Sequence, residues 1–319
     1  MFFQKAQEGN NQVWRYVIVM LAIIAGYIIG QLPMLLAIWR SISENLELSM
    51  SALEDFGNDG DFSRFGINKN MGLTLLLMMF LGAFAVLFFI IKPVHQREFR
   101  TLITPSSRIN WSRIFFGFFT WLALSLAIEA VAYGLSPSDY ILQFNLSSFI
   151  PLLIIAVLLL PIQTSTEEFI FRGYLMQGIA NSSILRKRNL NYKFTALIIT
   201  SLLFGLVHSM NPEIQEFGFG IMQSYYVSAG LFLGILTIMD DGLELALGVH
   251  AATNFTGAVF VGYQGAAIQT DAIFVTKSLN PNYMLIAFIL MAVLFLMICK
   301  KKFGWSAFSK IFEKVEKKE

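Results

Sequence analysis

Long apolar runs, each about twenty residues, alternate along this chain with short polar connections. Eight can be drawn, at approximately 14–39, 71–91, 112–134, 149–180, 194–210, 219–239, 242–262 and 283–300. A run of ~20 apolar residues is what a helix needs to cross a ~30 Å hydrocarbon core. The fourth run is too long for a simple crossing and must tilt, break or protrude; the fifth is short. The first is too long, and too poor in small cleavage-site residues, for a removable signal peptide. Neither an internal repeat nor a low-complexity linker divides the chain. The pattern predicts an all-α, polytopic membrane helical bundle of about eight transmembrane helices, forming a single domain over residues 1–319.

Composition agrees. Of 319 residues, 56% are hydrophobic and only 14% charged, against ~25% charged in a soluble domain. The mean hydropathy is +0.63. A lipid bilayer is therefore the expected surrounding and no nucleic-acid partner is expected, although the net charge of +2 by itself says little about partners. The lone cysteine, Cys299, rules out an internal disulfide framework; it reads as a lipid-facing or packed small hydrophobe.

The distribution of charge sets an orientation. If eight helices alternate, 18 of the 23 lysines and arginines fall on one side, in segments 1–15, 92–113 and 186–193 and in the tail from Lys300. The opposite side carries Arg40, Arg64, Lys69 and Lys277, with the acidic residues Glu44, Glu47, Glu54, Asp55, Asp59 and Asp61. Positive charge accumulates on the cytoplasmic side, so both termini are predicted to be cytoplasmic. The tail, ending KVEKKE, shows no eukaryotic retention signal, which points to a bacterial cell membrane. The stretch DFGNDGDF lacks the closing glutamate of a calcium loop and reads as a solvated external loop.

Polar residues inside the runs are expensive at membrane depth, ~2.5–3.5 kcal/mol for a charge on insertion scales, and usually mark function. STEEFIFRGY, residues 165–174, holds Glu167, Glu168 and Arg172. Residues four apart on a helix share a face, which pairs Glu168 with Arg172, Phe204 with His208, and His250 with Asn254. Glu167 is turned ~100° from Glu168 and faces another direction, towards the bundle interior. Counting rise per residue from the basic loop at 186–193 makes convergence of Glu167, His208 and His250 at one depth plausible. The third histidine, His95, lies among basic residues and reads as solvated. The glycine pairs Gly26/Gly30 and Gly230/Gly234 read as close helix packing.

Three elements in order, EEFIFR (Glu167, Glu168, Arg172), FGLVH (Phe204, His208) and HAATN (His250, Asn254), resemble the EExxxR, FxxxH and HxxxN/D motifs of the CPBP intramembrane proteases. That family includes the type II CAAX prenyl endopeptidases and bacteriocin-processing or immunity proteins. The resemblance covers about residues 150–262 and departs from no motif position. It implies hydrolysis of a peptide bond in a membrane-associated protein or peptide. In that reading Glu167 is the general base, assisted by His208, while His250 and Asn254 stabilise the tetrahedral intermediate and Arg172 supports Glu168. A competing version makes His208 and His250, with Glu167, ligands of a catalytic Zn2+; the chain has no HExxH helix. The rivals are a non-catalytic scaffold or immunity protein of the same fold, and an ion-coupled transporter, for which the expected inverted repeats are missing. The motifs name neither the substrate, nor whether it is prenylated, nor an oligomeric state.

Overall fold

The computed structural model describes residues 1–44, 50–190, 192–277 and 279–317. Glu47 of the acidic loop and Lys318 of the basic tail lie outside them. In chain order the helices are α1 (Val13–Glu44), α2 (Met50–Asp59), α3 (Lys69–His95), α4 (Trp111–Leu135), α5 (Leu146–Leu158) and α6 (Leu160–Glu168). A π-helical stretch, Phe169–Leu175, leads to α7 (Met176–Ala180) and α8 (Ser183–Lys187). Then follow α9 (Lys193–Val207), α10 (Pro212–Phe217), α11 (Phe219–Asp240), α12 (Glu244–Phe255) and α13 (Pro281–Phe303).

Six of these, counting Leu146–Lys187 as one, are long and apolar enough to cross a membrane. The fifth and seventh predicted runs are α9 and α12, of 15 and 12 residues. At 1.5 Å per residue they reach only ~22 and ~18 Å. Eight of the twelve α12 residues are buried, so that helix is walled by protein rather than lipid. Short or irregular helices are tolerated at membrane depth where they are enclosed in this way. The over-long fourth run does break. Leu159 separates α5 from α6, Pro161 sits in the first turn of α6, and the π-helical stretch follows at once. π segments often occur at functional sites.

The glycine pairs act as packing surfaces. A Cβ on Gly30 would lie 2.6 Å from both the Met78 carbonyl oxygen and the Met79 Cα, and one on Gly230 would lie 2.9 Å from the Ser201 Cα. Only glycine lets α1 approach α3, and α11 approach α9, this closely. Cys299 is buried within the cluster of Trp121, Phe288 and Phe295, which settles it as a packing residue.

Two features depart from the sequence reading. A three-stranded sheet, β1 (Tyr140–Leu142), β2 (Val261–Tyr263) and β3 (Phe274–Thr276), runs in the order β1-β3-β2. Strands of three residues are too short to carry an alternation signal. His95 is not solvated: it is 1% exposed, with Nδ1 2.7 Å from the Asn10 carbonyl oxygen and Nε2 2.8 Å from the Tyr174 hydroxyl. The amino-terminal segment folds back over it, which no local charge pattern could reveal.

Loops gather at two opposite ends. At one end Phe2 N donates to Asp241 Oδ1 at 3.0 Å, Leu243 N donates to the Ile103 carbonyl at 2.8 Å, and Lys193 pairs with Glu313 at 2.6 Å. Both termini and the basic segments are therefore together. At the other end Lys69 pairs with Asp271 at 3.0 Å, and Lys277 N donates to the Asp139 carbonyl at 2.8 Å. There Asp59 pairs with Arg64, and Asp61 caps the turn that starts at Phe62.

Candidate active site

Glu167 and Glu168 end α6, and the helical turn between them sends their carboxylates different ways. Glu168 is fully buried and accepts from Arg172 Nη1 at 2.8 Å. Its same oxygen lies 2.7 Å from His250 Nδ1. Arg172 is 1% exposed; its Nη2 donates to the Gly230 carbonyl at 3.3 Å, and its guanidinium lies 4.3 Å from the Phe204 ring centroid. The glycine that brings α11 close thus also offers its carbonyl to the arginine, and the motif phenylalanine covers the cation with its π face. This is a charge held by one carboxylate, one carbonyl and two rings, those of Phe204 and, at 5.9 Å, Phe171, deep in the bundle.

Glu167 faces a cavity of ≈ 1800 Å³ instead. Its Oε1 accepts from Gln163 Nε2 at 2.6 Å, and Asn254 Nδ2 donates to Gln163 Oε1 at 2.8 Å. Its Oε2 is buried and has no hydrogen-bond partner; the group it approaches is His250, with Nε2 3.6 Å away. His250 therefore bridges both glutamates: Nδ1 donates to the ion-paired Glu168, leaving Nε2 beside the free oxygen of Glu167. His208 closes α9 and donates from Nδ1 to the Phe204 carbonyl at 2.6 Å. Its ring stacks on Tyr226 with centroids 4.4 Å apart.

The structure thus brings Glu167, His208, His250 and Asn254 to the wall of one cavity and places Glu168 and Arg172 behind it. Gln163 and Tyr226 escaped the sequence reading. Gln163 had a signal, a polar residue one helical turn before Glu167 in the apolar run LLLPIQ. Tyr226 had none, since aromatic residues are everywhere in this chain.

A catalytic zinc requires three protein ligands and an open position. Among the described residues no group of three or more His, Cys, Asp or Glu side chains is disposed to hold a metal ion. Glu167 and His250 approach each other to 3.6 Å, but no third such side chain is grouped with them among the described residues. As arranged, Glu167, His208 and His250 do not fit a three-ligand zinc site.

The cavity extends towards one end of the bundle. Its lining draws on α2, the turn Phe62–Phe65, α10, the sheet and the start of α13, and among the described residues takes nothing from 1–12, 96–110, 181–193 or 304–317. It leads away from the end that holds the termini.

Comparison with known proteins singles out the same part of the chain. Residues 146–256, which contain every one of these motif residues, match the family described as Rce1-like, type II CAAX prenyl endopeptidase. The chain is 34% identical over 269 residues to the uncharacterised protein YyaK of Bacillus subtilis (strain 168), covering 81% of each chain. No solved structure matches. A multi-pass helical bundle that gathers EExxxR, FxxxH and HxxxN residues around one cavity, and that carries this match over its centre, belongs to the Rce1-like family of type II CAAX prenyl endopeptidases.

Proposed function

We propose that the protein is an intramembrane endopeptidase that cleaves a membrane-associated peptide or protein with a water activated by Glu167. The observation that carries this reading is the free, buried Oε2 of Glu167 on the cavity wall, 3.6 Å from His250 Nε2. A water seated against both atoms has an acceptor for its proton and a second group to orient it. Glu167 takes the proton, and the hydroxide adds to the scissile carbonyl. Glu167 then returns the proton to the leaving amine, so one carboxylate serves as base and acid. The oxyanion forms beside His250 and His208, whose rings line the same wall and which stabilise it when they carry a proton on Nε2, each Nδ1–H being already engaged. Asn254 and Gln163 form a relay that fixes the Glu167 carboxylate, so Asn254 acts through Gln163 rather than on the oxyanion alone. Glu168 and Arg172 hold His250 in the orientation that leaves Nε2 towards the cavity.

The test is cleavage of membrane-inserted peptides by the reconstituted protein, read by mass spectrometry, with wild type and Glu167→Gln compared with and without chelator. Fragments released by wild type alone, undiminished by chelation, are expected. Loss of cleavage on chelation would restore the zinc version through Glu167, His208 and His250. Equal fragments from both proteins would leave a scaffold or immunity role.

The basic end carries the termini, and we place it in the cytoplasm of a bacterial cell. The cavity then opens on the outer face, and the substrate enters from there. A maleimide applied from outside intact cells is expected to label Ser63→Cys and spare Ser309→Cys, both exposed positions; native Cys299 is buried and silent. The reverse pattern overturns the orientation.

A further inference from the structure

Glu213 belongs to none of the catalytic groups, yet it is a carboxylate only 4% exposed on the cavity wall near the mouth. One oxygen is spoken for. Oε1 accepts from the Ala267 backbone N–H at 2.8 Å and from the Tyr263 hydroxyl at 3.3 Å. The other, Oε2, is buried and has no partner. An ionised carboxylate is costly to bury without a counter-charge, by several kcal/mol per ion. Among the described residues the cavity wall supplies none: it includes Glu129, Asp139, Glu167 and Glu213 but no lysine or arginine.

The surroundings suit a cation. Tyr225, Tyr226 and Tyr263 all line the cavity with Glu213. Burial, and next the Glu213 carboxylate, push the Tyr263 hydroxyl well above its usual range, so it stays a neutral donor. Aromatic faces beside a carboxylate attract ammonium and guanidinium groups. Asn211, two residues before Glu213, donates to the Tyr226 hydroxyl at 3.1 Å, and Tyr226 stacks on His208. The segment that carries Glu213 is therefore connected to the catalytic wall through two side chains, Asn211 and Tyr226.

We propose that Glu213, with Tyr225, Tyr226 and Tyr263, forms a subsite for a basic side chain of the substrate, so that the preferred substrate is a membrane peptide carrying a lysine or arginine near the cleaved bond. This rests on the endopeptidase reading for its name as a substrate subsite, but the binding itself is independent of turnover.

The experiment uses the full-length protein in liposomes and a set of apolar peptides in which one lysine is walked along the sequence, each matched by a glutamine twin. Cleavage by wild type is expected to favour at least one lysine peptide over its twin by about tenfold or more, the scale on which a desolvated charge pair discriminates. In Glu213→Gln, which keeps an acceptor for Ala267 and Tyr263, that ratio falls to about one, while Glu213→Asp, which keeps the charge, restores part of it. Melting of each variant in detergent checks that it is folded. Binding of the same peptide pairs to Glu167→Gln, followed through Trp121 in the cavity wall, separates the two readings. Lysine preference in binding without cleavage by wild type removes the protease and keeps the subsite. Lysine and glutamine twins bound equally, or a preference unchanged in Glu213→Gln, overturns the subsite.

Discussion

Glu167→Gln is expected to give a folded, well-expressed protein whose peptide cleavage falls by ~10²–10⁴, the usual contribution of a general base. The amide oxygen can still accept from Gln163 Nε2, so the relay through Asn254 survives. What disappears is the basic oxygen beside His250 Nε2. Stability should change little, because replacing a buried carboxylate by an amide lowers the cost of taking it out of water. The check is single-turnover cleavage set against thermal melting of the same preparation. Cellular function retained in full by Glu167→Gln would sink the hydrolase and leave the scaffold.

Arg172→Ala should behave in the opposite way, losing yield and activity together. Five partners depend on that guanidinium: Glu168, the Gly230 carbonyl, the Phe204 and Phe171 rings and, through Glu168, His250. Removing one member of a buried ion pair costs ~3–5 kcal/mol, because the other charge is left uncompensated. Glu168 is completely buried and its second oxygen already has no partner, so it has no route to water. The expected readout is a lower melting temperature and poor recovery from the membrane. An Arg172→Ala protein as stable as wild type would show that Glu168 is not held as an ion in the folded bundle.

The contrast between these two variants reflects a division that the chain itself displays. One glutamate is exposed to the cavity and replaceable in structural terms; its neighbour is sealed and structural first. Their adjacency achieves this, since one residue of helix turns a side chain by ~100°.

Much of this was legible along the chain. Apolar runs near membrane thickness announce a helical bundle whatever its details, since lipid offers the backbone no other hydrogen-bond partner than itself. The i, i+4 spacing of Glu168 with Arg172 and of Phe204 with His208 fixes shared faces before any tertiary contact forms. The close approach at Gly30 and Gly230 followed likewise from residues without a Cβ. Tertiary structure decided the rest. Whether α9 and α12 cross fully depends on the neighbours that wall them in, and His95 is buried because distant residues, Asn10 and Tyr174, close around it. Asn254 turns out to address Gln163, 91 residues away in sequence, and Glu213 is left with a free oxygen among tyrosines from two other segments. Periodicity encodes which way a side chain leaves its own helix; which partner it meets there is set by the packing of helices against one another, a property no single segment carries.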